Sequence, residues 1–77
     1  MNLRRIVYKL QTALNQRGEY YRINQYQNYS ERSGCMITKY VVEKTEDDEN
    51  GKRKNVRVLE TYSLADVVKT LAVIYSG

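Results

Sequence analysis

The chain has 77 residues, 42% hydrophobic and 29% charged, with a formal net charge of +4. A chain this short buries only about 60% of its unfolded surface, so it holds one domain, residues 1–77, and dimerisation is a natural source of added stability. It has no His, Pro, Phe or Trp and one cysteine, Cys35, which excludes imidazole catalysis, histidine metal ligands and an internal disulfide. The positive charge is a mild bias toward anionic partners. Four of the nine acids cluster in Glu46-Asp47-Asp48-Glu49.

Residues 3–17 are predicted to form a helix. Asn2 is a suitable N-cap, because its side-chain oxygen accepts a first-turn N–H. Leu3, Ile6, Val7, Leu10, Ala13 and Leu14 follow the spacing of one apolar face. Arg4, Arg5 and Lys9 fall outside that stripe, and Gly18 supplies the left-handed stop. Cations spread through residues 1–17, with no apolar run long enough for a bilayer, predict neither a signal peptide nor a membrane span. The expected compartment is the cytoplasm.

The next stretch, "EYYRINQYQNYS", holds four of the eight tyrosines in twelve residues. Its alternation directs Tyr21 and Ile23 toward the helices, where they replace the missing Phe, and Tyr20, Arg22 and Tyr26 to the other side. Tyr29 falls where the strand turns and takes no assignment. Ser30 to Gly34 turns the chain into "CMITKYVVEK", where Cys35 reads as a small buried or strand residue. "KNVRVLETY" follows beyond the turn "TEDDENGKR". A three-residue loop, Glu49-Asn50-Gly51 with Gly51 left-handed, pairs Asp48 with Lys52, Asp47 with Arg53 and Glu46 with Lys54. It also sets Glu43 against Arg57 and Val42 against Val58, so opposite charges meet and apolar residues share a face. That register sends Met36, Thr38, Tyr40, Val42, Val56, Val58 and Tyr62 toward the helices. Ile37, Lys39, Val41, Glu43, Arg57 and Leu59 go to the opposite face.

Ser63 with Asp66 resembles a capping box. Leu64, Val67, Val68, Leu71, Ile74 and Tyr75 trace the apolar stripe of a second helix ending at Gly77. The expected fold is α+β in αβββα order: two layers, a three-stranded antiparallel meander with both helices on one face.

Little in the sequence supports chemistry. Glu46, Asp48, Asn50 and Gly51 imitate part of a calcium loop, but its first position should be Asp, and its twelfth, a bidentate Glu, is Arg57. The flanks are strands, and no metal is expected. Glu43 and Glu60 are the carboxylates of the sheet strands, and the preferred register places them on opposite faces. No nucleophile has a base beside it, and the isolated glycines make no phosphate loop. No catalytic residue and no cofactor are predicted.

Binding is the remaining role. Ile37, Val41 and Leu59, joined by Tyr20 and Tyr26, predict an exposed apolar patch on the open sheet face, the mark of an interface. The predicted partner-binding set is Tyr20, Arg22, Tyr26, Ile37, Lys39, Val41, Arg57 and Leu59, for contact with a protein or with a second copy. The alternative is a nucleic-acid surface of Arg4, Arg5, Lys9, Tyr20, Arg22, Tyr26, Lys39 and Arg57, where bases stack on rings beside cations. The element order is similar to that of double-stranded-RNA-binding domains, whose second helix needs a lysine-rich start. "SLADVVKTL" has Asp66 there and only Lys69, so that function does not carry over. Across "INQYQNYSERSG", "ITKYVV" and "LETYSLADVVKTLA" the chain resembles small uncharacterised proteins carried by bacterial prophages and integrative elements. The resemblance implies a cytoplasmic, non-enzymatic accessory protein of a mobile element, and assigns no residue a role.

Overall fold

The computed structural model describes residues 2–77. Their order is α1 (Leu3–Gln16), β1 (Tyr20–Ser30), β2 (Cys35–Asp47), β3 (Arg53–Thr61) and α2 (Leu64–Ser76). The strands form one antiparallel sheet in the order β1-β2-β3, and both helices pack on one face, as expected from the hydrophobic periods.

Asn2 caps α1 by accepting the Arg5 N–H at 3.3 Å. At the other end Gly18, at φ +83°, lets the Glu19 N–H reach the Leu14 carbonyl and its own N–H reach Asn15, a Schellman closure. α2 begins differently from the expected capping box, because Ser63 makes no side-chain cap bond. Thr61 Oγ1 accepts the Ser63 N–H at 3.1 Å and donates to Asp66 Oδ2 at 2.8 Å. The Thr61 hydroxyl thus stands between Asp66 and the Ser63 N–H, a bond the capping box would make directly. The helix C-termini meet where Arg17 donates to the Tyr75 carbonyl at 2.6 Å, its guanidinium 5.0 Å from that ring's centre.

Val7 and Leu14 of α1, Val67 and Leu71 of α2, and Tyr21, Tyr40 and Val42 of the sheet are buried together in one core. Ile23, Leu59 and Leu64 pack against it half-buried. Tyr21 and Ile23 therefore face the helices as expected, and Tyr21 takes the place of a Phe. Tyr62, expected on that face, is exposed at the end of β3.

The tight turn follows the sequence reading. Gly51 has φ +76°, Asp48 donates its N–H to the Lys52 carbonyl at 2.7 Å, and Glu46 and Asp47 pair with Lys54 and Arg53. Asp48 Oδ1 accepts the N–H groups of Asn50 and Lys52, so this carboxylate holds the turn. Beyond Glu43↔Arg57 the register departs from expectation. A bulge between Val42 and Glu43 leaves Val58 unpaired and sets Val42 opposite Leu59. Strict alternation would have put Leu59 on the open face. The extra residue instead turns Leu59 inward and Glu60 outward.

The radius of gyration is 14.1 Å, against about 11.5 Å for a compact chain of this length. The excess comes from the sheet. α1, at 14 residues, is about 21 Å long, whereas β1, at 11 residues, spans about 36 Å. β3 ends at Thr61 opposite Tyr40. Tyr26–Ser30 and Cys35–Lys39 therefore continue as a two-stranded ribbon past the third strand.

Two substitutions check this architecture through urea unfolding midpoints at unchanged slope. Leu59→Ala is expected to cost about 2 kcal/mol, as for a partly covered core leucine, where an open-face leucine would cost under about 0.5 kcal/mol. Thr61→Val keeps the shape but removes the hydroxyl relay, and is expected to cost about 1 kcal/mol.

Candidate binding surface

β1 and β2 pair so that Tyr20 faces Thr45, Arg22 faces Glu43, Asn24 faces Val41, Tyr26 faces Lys39 and Asn28 faces Ile37. All of these lie on the open face. On the β3 side Val41 faces Glu60 and Glu43 faces Arg57. Seven of the eight expected partner-binding residues thus share one face: Tyr20, Arg22, Tyr26, Ile37, Lys39, Val41 and Arg57. Leu59 does not, because the bulge moves it into the core.

The expected apolar patch is absent among the described residues, for two reasons. Leu59 has left the face, and Val41 is only 3% exposed although no helix covers it. Val41 lies between Asn24 and Glu60 across the strands, and between Lys39 and Glu43 along its own. Asn24 donates to Glu43 Oε1 at 2.7 Å, and Lys39 pairs with Glu60. The stems of these side chains roof the valine while their polar ends stay wet.

Glu60 gathers this part of the sheet, pairing with Lys39 and also with Arg57 at 3.0 Å. The hydrogen bond from Lys39 holds its carboxyl below the ordinary range, with the charges of Lys39 and Arg57 adding to it against partial desolvation. The same bond raises the Lys39 ammonium. Glu43 and Glu60, expected on opposite faces, are on the same one, each engaged by polar or charged neighbours.

The cations of the nucleic-acid alternative do not form one surface. Arg4, Arg5 and Lys9 sit on α1, in the layer opposite Tyr20, Arg22, Tyr26, Lys39 and Arg57. Lys39 and Arg57 already share Glu60.

The residues the sequence reading missed are on the ribbon. Tyr29 and Met36 face each other on the helix side of the sheet, beyond the reach of both helices, and are 63% and 59% exposed. Tyr26 is 51% exposed on the other side. The available signal was length: a strand pair this long outruns a helix of 14 residues. The ribbon tip is the turn Glu31–Gly34, where Gly34 at φ +67° donates to the Ser30 carbonyl at 2.8 Å. Cys35 is an exposed free thiol 3.4 Å from Ser33 Oγ. Among the described residues no helix is long and apolar enough to cross a membrane. No family model, curated protein or solved structure matches the chain.

The Lys39–Glu60 pair sets a pH window. Glu60 is depressed when folded, so its contribution is present above the ordinary value of 4.5 and is lost as pH falls through the folded value. Lys39 is raised, so its contribution is present below 10.5 and is lost as pH rises through the folded value. Unfolding measured across pH is expected to show Glu60→Gln losing stability relative to wild type between these limits, with the difference closing at both ends. A pH-independent difference would contradict the pairing.

Proposed function

We propose that this chain is a small non-catalytic binding protein, a cytoplasmic accessory protein of the mobile-element kind, acting by protein–protein contact through the β1–β2 ribbon. The observation that carries this reading is the projection of Tyr26, Tyr29 and Met36 beyond the rest of the fold. Tyr and Met are enriched where proteins touch. The ribbon is poor in charge, with Glu31 and Arg32 at its tip and Lys39 committed to Glu60. A phosphate-binding ribbon would need several uncommitted cations. The engagement of Glu43 and Glu60 with neighbouring side chains favours a binding role over acid–base chemistry. An exposed, unpaired Cys35 suits a reducing compartment.

The test starts with partners captured on immobilised protein, identified, and then titrated in purified form. Tyr29→Ser with Met36→Ser is expected to weaken the purified contact by about thirtyfold or more, the scale of a hot-spot loss. Arg5→Ala with Lys9→Ala is expected to leave it unchanged. Binding to labelled oligonucleotides that falls steeply with salt and disappears in the arginine and lysine variant would overturn this reading in favour of nucleic acid.

A further inference from the structure

The two edges of the sheet are unlike. β3 carries Arg53, Lys54, Arg57 and Glu60 and the bulge at Val58, devices that keep an edge from pairing with another chain. β1 has eleven residues in unbroken register with β2, and its one charged residue is Arg22. It has no bulge, proline or lysine.

The backbone of that edge can be assigned. Ser30 turns its carbonyl inward to Gly34, so even-numbered residues of β1 address β2 and odd-numbered ones address the free edge. Consistent with this, the outward Tyr21 carbonyl accepts Gln11 Nε2 of α1 at 2.7 Å. The outward groups are those of Ile23, Gln25, Gln27 and Tyr29, and among the described residues no hydrogen bond within the chain reaches them.

The side chains along this edge read the same in both directions about Tyr26. Gln25 and Gln27 flank it, then Asn24 and Asn28, within Asn-Gln-Tyr-Gln-Asn. We propose that a second copy of this chain adds antiparallel to the β1 edge, with the two-fold axis at Tyr26, to form a continuous six-stranded sheet. The inference rests on the ribbon being a protein-contact surface, and names what it contacts.

This register matches the free edge along its whole length. Gln25 falls opposite Gln27 of the second copy, and Ile23 opposite Tyr29, all with outward backbone groups. Each of these pairs occurs twice about the axis, giving four pairs that exchange two bonds each, or about eight backbone hydrogen bonds. Asn24 meets Asn28, amide to amide. The two Tyr26 rings meet on the axis as a non-hydrogen-bonded pair, whose side chains approach most closely. Tyr29 of the second copy arrives over Ile23, beside the groove bounded by Val7, Tyr8, Gln11 and Ile23. The next position outward would need the Tyr21 carbonyl, already taken by Gln11, so the ladder stops at Arg22 opposite Ser30. A nine-residue ladder is about 30 Å long. With side chains on both faces it covers on the order of 1,200 Å² in total, the lower end of the range for specific interfaces. The assembly is closed, because both β1 edges are consumed and only the charged, bulged β3 edges remain.

Sedimentation and crosslinking decide the matter. Wild type is expected to sediment as a dimer at about 100 μM, and to dissociate on dilution by mass action. Gln25→Lys with Gln27→Lys places lysine against lysine on both sides of the axis and should give monomer. Gln25→Lys with Gln27→Glu places lysine against glutamate and should restore the dimer, which a merely structural defect would not do. In a Cys35→Ser background, Tyr26→Cys should oxidise to a disulfide dimer at least about tenfold faster than Asn28→Cys, since only the axial residue meets itself within disulfide reach. A wild-type monomer at that concentration, or equal crosslinking at the two positions, overturns the proposal. If the monomer still binds a different purified protein through Tyr29 and Met36, the reading of the ribbon stands and only the second copy is wrong. If it binds none, both fail.

Discussion

A helix rises 1.5 Å per residue and a strand about 3.3 Å, and most of this molecule follows from that mismatch. Helices of 14 and 13 residues cover about 20 Å of a sheet whose central strand has 13 residues and runs about 43 Å. The covered part becomes the core, with Leu14, Val42, Val67 and Leu71 sealed within it. The remainder must project as hairpin, exposed on both faces. The described residues supply no third helix to place there. The elongated dimensions, 45 × 31 × 16 Å, are the shape of that shortfall.

The two projecting hairpins meet the same problem in opposite ways. The β2–β3 end is charged, with Glu46 opposite Lys54 and Asp47 opposite Arg53. Its turn is held by the Asp48 carboxylate. Such a tip satisfies itself in water and gains little by touching another surface, since exposed pairs of this kind contribute at most about 1 kcal/mol. The β1–β2 end is built from Tyr, Gln, Asn, Met and Ile. Its amides and rings have no complementary charges to occupy them, and its outer backbone groups face solvent. In one small fold the first hairpin is finished and the second is not.

What the sequence made legible and what it hid divide along the same physical lines. Periodicity identified both helices, and the three-residue loop Glu49-Asn50-Gly51, which brings opposite charges together, fixed the β2–β3 register as far as Glu43 and Arg57. Local rules of this kind depend on neighbours within a few residues. Leu59 escaped them because a bulge is a global compromise. Arg57 must stay opposite Glu43 while a leucine two places on must reach the core, and only an extra residue, Val58, satisfies both. Val41 was misjudged as exposed for a related reason: the polar roof over it comes from three strands, none of which reveals it alone. Ser63 and Asp66 have capping-box spacing, yet Thr61, outside that pattern, supplies the hydroxyl. Tyr29, which alternation could not place, acquires a position once helix reach is compared with strand length.

The symmetry of Asn-Gln-Tyr-Gln-Asn has a different standing from these local signals, since it does nothing for the isolated chain. Within one copy, Gln25 and Gln27 project on the helix side where no helix reaches fully, and no core packing requires them to match. A strand that only had to pair with β2 would be free to differ on either side of Tyr26. A strand that pairs with itself antiparallel is constrained, because each side chain then meets its mirror position, the two must be complementary, and a mismatch is incurred twice. The proposed pairing would also account for an edge whose only charge is Arg22, at the end of the ladder, beside a densely charged β3. A lysine at Gln25 would face neutral Gln27 of the second copy and leave two desolvated charges, one on each side of the axis. On the proposed pairing, the guarded edge and the bare edge form one design, in which β3 would prevent an open chain of sheets while β1 would admit a single closed pairing.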